Sequence, residues 1–163
     1  MRFILVDEIQ AMIPGKSIRA SKFVSPDEDY FRDHFPGFPV VPGVLLTEMM
    51  AQTAGKCLDA ESFERGRSML ARIDSARFSA WVLPGSTAVI SAEIQTSRPE
   101  FAKAKCRVEV HSRVVAMADL FFAFVPRDRF AAGLRDEVLE AYLARQTPPP
   151  SLPPAANPTL AAP

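Results

Sequence analysis

The segment that most restricts the possible folds is residues 44–59, which predict a helix of roughly four turns. Apolar side chains cover most of its circumference, so the helix has to be buried, because water would otherwise contact apolar surface on several sides. These apolar residues are Leu45, Leu46, Met49, Met50, Ala51, Ala54, Cys57 and Leu58. The chain therefore needs other elements that enclose this helix.

Strand patterns after the helix can supply part of that enclosure. Residues 87–95 and 102–110 alternate apolar and polar side chains with a period of two, so each strand has one dry and one wet face. Residues 114–125 are apolar on both faces except for Asp119, which favours a central strand or one covered by a partner subunit. These three segments predict neighbouring strands of one sheet.

Further strands are predicted on either side of the helix. Residues 2–12 and 17–24 are extended, apolar-rich runs separated by Pro14 and Gly15, which predicts a hairpin, and residues 69–78 predict another strand. We therefore expect an α+β fold in which an antiparallel sheet of five or six strands surrounds one long buried helix.

The chain is expected to have three parts. Residues 1–126 contain the sheet and the buried helix and form one domain. Residues 127–146 have an apolar stripe and predict an amphipathic C-terminal helix with Asp128 as its N-cap. Residues 147–163 include seven prolines and four alanines and predict a disordered tail.

Charge and cysteine content exclude several classes of function. Lys plus Arg and Asp plus Glu both count 19, so no strong field is expected to recruit nucleic acid or an anionic membrane surface. Cys57 and Cys106 lie in apolar stretches without metal-ligand spacing, which favours two buried, reduced thiols and a cytoplasmic protein. No apolar run has the length of a membrane span, and no metal site is predicted.

The loop before the helix and the first turns of the helix contain residues suited to acid-base chemistry. Three prolines within seven residues stiffen the chain after His34, and a helix that begins near Gly43 would present free backbone N–H groups to anything bound beside that histidine. Glu48 follows His34 by fourteen residues, inside the helix. A histidine, a carboxylate and a helix N-terminus are suitable parts for acid-base chemistry.

Simpler interpretations apply to the same residues. Glu48, Gln52 and Lys56 recur at a spacing of four, as in an ordinary solvated helix face, and a lone histidine is usually a surface or capping residue. His111 is expected at a hairpin turn, exposed to solvent. Lys103, Lys105 and Arg107 form one face of a strand, which favours a solvated face over a docking patch for an acidic protein.

Residues 34–52 resemble the signature of the FabZ-type 3-hydroxyacyl-[acyl-carrier-protein] dehydratases, which have the hot-dog fold. The matching segment is HFPGFPVVPGVLLTEMMAQ, and the weaker likeness extends over residues 2–125. Asp33 differs, because the family usually has glycine before the histidine. The resemblance implies a homodimer, or a trimer of dimers, in which each active site takes its histidine from one chain and its carboxylate from the other.

The resemblance also implies roles for individual residues. His34 and Glu48 match the catalytic pair, and Gly43 matches the residue whose backbone N–H binds the thioester carbonyl. Phe35, Phe38, Val44 and Met49 are candidates for lining an acyl tunnel, although core packing would explain Phe35, Phe38 and Met49 equally well. No cofactor is implied. Which of His34 and Glu48 transfers which proton stays open at this point.

The implied activity is dehydration of 3-hydroxyacyl thioesters on acyl carrier protein to trans-2-enoyl thioesters, in fatty-acid or specialised lipid and polyene biosynthesis. Two alternatives share the fold. A hot-dog acyl thioesterase would release a free acid, and a non-catalytic acyl-carrier-binding subunit would bind without turnover.

Overall fold

Six antiparallel strands form a single sheet in the order β1-β2-β4-β5-β6-β3. The computed structural model describes residues 3–61, 66–130, 133 and 135–146. The strands are β1 Glu8–Ile13, β2 Ser17–Phe23, β3 Arg67–Phe78, β4 Thr87–Ser97, β5 Phe101–Val110 and β6 Arg113–Val125. The predicted antiparallel sheet is therefore confirmed.

The helix α1 spans Gly43–Glu61 and packs against five of the six strands of the sheet, β2 to β6. Several of the buried strand residues are alanines, whose small side chains let the helix axis approach the sheet closely. They include Ala88, Ala92, Ala102, Ala104, Ala116 and Ala118. The arrangement confirms the predicted enclosure of one long helix by a sheet.

The alternating strands behave as their period predicts. In β5 the even-numbered residues from Ala102 to Val110 are buried, whereas Lys103, Lys105 and Arg107 are exposed on the outer face. β6 pairs with β5 on one side and β3 on the other, so it is a central strand, one of the two positions predicted for it. His111 lies in the exposed turn between β5 and β6 with a φ of 49°, as expected for a solvated turn residue.

Strand β3 is one of the two edges of the sheet. It pairs only with β6 among the described strands, and most of its twelve residues are exposed. Met69, Ile73 and Phe78 are each between 44% and 48% exposed. An edge strand of this length with apolar side chains is a template for pairing with another chain.

The N-terminal strand is shorter than predicted and begins at Glu8. The backbone N–H of Leu5 donates to Oε1 of Gln52 on α1, at 2.9 Å, so this part of the chain is held by a helix side chain and not by a strand ladder. Asp7 N–H donates to the Ser21 carbonyl at 2.8 Å, where the pairing with β2 starts.

The predicted C-terminal helix over residues 127–146 starts too early. Arg127–Arg129 form a short 3-10 turn, and the helix α2 spans only Glu137–Gln146. Its N-cap is Asp136, whose Oδ1 accepts a hydrogen bond from the Leu139 N–H at 3.0 Å, and not Asp128. Leu139 and Tyr142 of α2 are buried in the core. The tail predicted at 147–163 lies outside the described residues.

Within the described ranges, no helix combines the length and apolarity needed to cross a bilayer.

Candidate active site

A closed loop holds His34 in front of the buried helix. The His34 N–H donates to the Tyr30 carbonyl at 2.9 Å, at the end of the 3-10 turn Asp29–Arg32. Six residues later, the Val40 N–H donates to the His34 carbonyl at 3.0 Å, and the Val41 N–H then ties the chain to the Val82 carbonyl at 2.9 Å. The rigidity inferred from the prolines thus has a second cause, because the backbone is bonded on both sides of the histidine.

The same loop fixes the tautomer of His34. Nδ1 of the half-buried ring lies 3.0 Å from the Val40 carbonyl oxygen, which can only accept a hydrogen bond. Nδ1 therefore carries the proton in the neutral ring, and Nε2 has the free lone pair. The ring also stacks on Phe35 with a centroid distance of 4.2 Å. This arrangement leaves one defined nitrogen to act as a base.

Gly43 is the first residue of α1, so its N–H lies in the first turn and has no acceptor within the helix. A Cβ on this residue would come within 3.1 Å of Cε2 of the Phe78 ring. The close approach of Phe78 explains why glycine suits this position. An N–H at a helix N-terminus is a ready donor to a partly negative oxygen.

Glu48 lies one turn further along α1 and is held by Gln52. The Gln52 Nε2 donates to Oε1 of Glu48 at 3.0 Å and to the Phe3 carbonyl at 3.3 Å, while its Oε1 accepts the Leu5 N–H. Gln52 therefore connects the N-terminal segment to the carboxylate and orients it. The sequence motif contains Gln52, but nothing in the linear pattern indicated this role.

The interpretation of Glu48, Gln52 and Lys56 as a solvated helix face is wrong. Glu48 and Gln52 are half-buried, and Lys56 is 8% exposed and paired with Asp136. All three line a groove of about 840 Å³, which is within the size range of ligand sites. Its other lining residues include Phe3, Ile4, Ala51, Gly55, Asp59, Arg67, Ser68, Met69, Leu70, Phe122, Phe130, Arg135, Asp136, Glu137 and Val138.

One chain does not bring the predicted pair into this groove together. Glu48 is among the described residues that line it, and His34 is not. Its ring stacks instead on Phe35, and three of the four tunnel candidates have exposed side chains: Phe35 is 54%, Phe38 50% and Val44 74% exposed. Met49 is only 1% exposed and packs in the core, which is the alternative interpretation given for it above.

Trp81 adds to these exposed apolar side chains. Trp81 is 70% exposed, and its ring meets the Phe38 ring edge-on, at a centroid distance of 6.3 Å and an interplanar angle of 87°. Exposed aromatic side chains in one place are typical of a surface that another chain or a ligand covers.

Neither cysteine is among the residues that line the groove. Burial raises the pKa of the Cys57 thiol to about 11 and that of Cys106 to about 12, so both stay protonated at neutral pH. Both are free thiols buried in the core, as predicted.

A six-stranded antiparallel sheet that wraps one long helix, with a histidine loop at the helix N-terminus, defines a hot-dog protein of the FabA-like class. The model of the FabA-like domain family matches residues 1–119. The chain is 38% identical to the 3-hydroxyacyl-[acyl-carrier-protein] dehydratase FabZ of Listeria welshimeri over 122 residues, which cover 74% of this chain and 85% of the relative. The FabZ of Desulforamulus reducens is 40% identical over 122 residues, 74% of this chain and 86% of the relative. The chain belongs to the FabZ dehydratase family.

Solved structures show the same fold at low sequence identity. The dehydratase heterocomplex ApeI:P from Xenorhabdus doucetiae superposes with a TM-score of 0.59 at 17% identity, over 74% of this chain and 99% of that one. A hypothetical thioesterase with coenzyme A from Streptococcus pneumoniae has a TM-score of 0.58 at 12% identity, over 73% of this chain and 85% of that one. These likenesses concern the fold alone.

Proposed function

We propose that this FabZ family member removes water from 3-hydroxyacyl thioesters presented by acyl carrier protein and releases trans-2-enoyl thioesters, in fatty-acid or specialised lipid biosynthesis. The observation that carries the proposal is the hydrogen bond between Nδ1 of His34 and the Val40 carbonyl, because it leaves Nε2 as a base at the open N-terminus of α1.

Each step of the dehydration has a residue of suitable chemistry. Nε2 of His34 takes the C2 proton, and the electron pair left on C2 is delocalised onto the thioester oxygen. The Gly43 N–H stabilises that oxygen, a kind of contact whose loss elsewhere costs about 10²–10³ in rate. The C2=C3 double bond then forms as the C3–O bond breaks, and a protonated Glu48 gives its proton to the departing hydroxyl, so that water leaves.

Two copies of the chain would complete each site. His34 of one protomer would meet the Glu48 groove of its partner, and the apolar patch at Phe35, Phe38 and Val44 would be covered in the process. The exposed edge of β3 supports this arrangement, since two antiparallel β3 strands could join two sheets. We expect a homodimer at least, and the family resemblance implies a trimer of dimers as the larger assembly.

Mixing two inactive variants tests the shared site. In a heterodimer of His34→Ala and Glu48→Gln subunits, one site has both changes and the other has neither, so refolding the variants together should restore about a quarter of wild-type activity. If both residues came from one chain, every site would carry a change and no activity would return.

The assay also separates the proposed activity from its rivals. Wild-type protein is incubated with 3-hydroxyacyl-acyl carrier protein, and the product is analysed by mass spectrometry for loss of water. Release of the free acid would indicate a thioesterase instead, and an unchanged acyl-carrier protein at every chain length would leave only a binding role.

A further inference from the structure

The groove that holds Glu48 extends to the C-terminal segment of the chain. Glu48 is part of its lining, and Phe130, Asp136 and Val138 contribute to it as well. These three residues follow the part of the chain that the FabA-like family model matches, which ends at residue 119. A segment beyond the matched domain therefore contributes a wall to the groove of the proposed catalytic carboxylate.

The part of the groove next to Glu48 suits an acyl chain. Ala51 lines it from α1 with a small side chain, while Leu70 and Phe122 contribute apolar surface from the sheet. Glu48 and Lys56 are eight residues apart in the helix, which corresponds to about 12 Å along its axis. An acyl tail could lie along this stretch against the apolar side chains of Ala51, Leu70 and Phe122.

The apolar stretch ends at two ion pairs. Nζ of Lys56 lies 2.6 Å from Oδ2 of Asp136, with side-chain exposures of only 9% and 16%. A second ion pair, between Arg67 and Asp59 at 3.4 Å, lines the same groove. A methylene chain pushed among these charges would remove their remaining water and offer no hydrogen bond in return, which is unfavourable.

Asp136 links this end of the groove to the C-terminal helix. One of its oxygens binds Lys56, and the other caps α2 through the Leu139 N–H at 3.0 Å. Because Leu139 and Tyr142 are buried in the core, α2 holds Asp136 in place. The Lys56–Asp136 pair is therefore a fixed feature of the groove.

We propose that the Lys56–Asp136 ion pair is a polar stop that limits the length of the acyl chain, so that the enzyme dehydrates short and medium 3-hydroxyacyl chains in preference to long ones. This inference rests on the proposed function, since it assigns the acyl tail of the same substrate to the groove beyond Glu48.

The test compares chain-length profiles of the wild type and a charge-free variant. Lys56→Met combined with Asp136→Asn removes both charges and keeps a side chain that can cap α2. The acyl-carrier substrates are 3-hydroxybutyryl, 3-hydroxyoctanoyl, 3-hydroxydodecanoyl and 3-hydroxyhexadecanoyl. In the wild type we expect kcat/KM for the hexadecanoyl substrate to be at least about tenfold lower than kcat/KM for the octanoyl substrate. In the double variant the ratio of the octanoyl to the hexadecanoyl value should be about tenfold smaller than in the wild type.

Two controls show whether the charge at this position is responsible. Lys56→Arg keeps a cation opposite Asp136 and should keep the wild-type profile. Arg145 lies on α2 outside the groove, where its exposed side chain pairs with Glu8. Arg145→Met removes this charge and should leave the profile unchanged. Melting temperatures of all variants confirm that they are folded.

The outcomes separate the two proposals. The polar stop is overturned if the wild type is active and its profile coincides with that of the folded double variant. It is also overturned if the wild type prefers the hexadecanoyl substrate. Both results leave the dehydratase proposal intact. A wild type that dehydrates none of the four substrates overturns both.

Discussion

His34 and Val40 hold each other through two hydrogen bonds: the Val40 N–H donates to the His34 carbonyl at 3.0 Å, and Nδ1 of His34 lies 3.0 Å from the Val40 carbonyl. The residue that closes the loop is therefore also the residue that fixes the tautomer of the neutral ring. A base whose orientation and tautomer are both fixed needs no rearrangement when substrate arrives.

Replacing His34 should abolish most of the activity without unfolding the protein. We expect His34→Ala to lower kcat by about 10²–10⁴, the usual contribution of a general base, with a melting temperature close to that of the wild type. His111→Asn is the matched control, because it changes the other histidine of the chain, in an exposed turn where asparagine tolerates the positive φ. Equal losses in both variants would contradict the assignment.

Gln52→Ala should reduce activity indirectly, by releasing Glu48. Loss of the 3.0 Å contact leaves the carboxylate without its described partner on α1, and a misplacement of about 1 Å can cost roughly 10² in rate. The variant should also be destabilised by about 1–3 kcal/mol, because the buried Leu5 N–H loses its acceptor.

Steady-state kinetics and denaturant unfolding measure the two effects of Gln52 separately. Gln95→Ala, at an exposed position of β4, should change neither quantity. If Gln52→Ala kept full kcat while losing stability, Gln52 would support only the N-terminal segment.

Gly43→Ala should interfere with the helix N-terminus through Phe78. The new Cβ would lie 3.1 Å from the Phe78 ring, so the ring or the first turn of α1 has to shift. We expect kcat to fall by roughly tenfold if the N–H of residue 43 moves. Phe78→Leu in the same chain should recover part of the loss in a double-mutant cycle, whereas strictly additive effects would rule out the steric coupling.

Changing the edge of the sheet should dissociate the protein. Ile73→Glu places a charge on the exposed strand β3 and should shift sedimentation towards the monomer, with activity lost although His34 and Glu48 are unchanged. Ile13→Glu is the control at the opposite edge, on β1, where the residue is 57% exposed. Dissociation by the Ile13 change and not by the Ile73 change would refute pairing through β3.

The cysteines should make the protein sensitive to alkaline pH. In the native state burial raises the pKa of Cys57 from 9.0 to about 11 and that of Cys106 from 9.0 to about 12, so the unfolded chain loses these protons first as pH rises. The native state then binds more protons than the unfolded state, and the free energy of unfolding decreases as pH rises above about 9. A Cys57→Ala, Cys106→Ala variant should show a smaller decrease over the same range in denaturant titrations.

Much of the fold could be predicted because its signals are periodic. The alternation in β4 and β5 and the broad apolar surface of α1 each follow from local patterns, and the observed boundaries differ by only one to a few residues. The start of β1 and of α2 could not be read in this way. Both depend on contacts between distant residues, since Gln52 takes the N–H of Leu5 and Lys56 pairs with the N-cap Asp136.

For the candidate site, too, the sequence indicated residue types but not their contacts. The motif indicated His34, Gly43 and Glu48 as residue types in a loop and a helix, and their catalytic roles are part of the proposed function. It could not reveal the Val40 carbonyl or Gln52, because a backbone oxygen has no letter in the sequence and the partners of a glutamine depend on the tertiary fold.

The edge-on contact between Phe38 and Trp81 gives the protein a built-in optical signal. The sequence contains one tryptophan, and its indole lies exposed beside the loop that carries His34. The emission spectrum of the unlabelled protein therefore reports the polarity at this one place, and a blue shift on raising the protein concentration or adding an acylated carrier would record the moment when the indole leaves water.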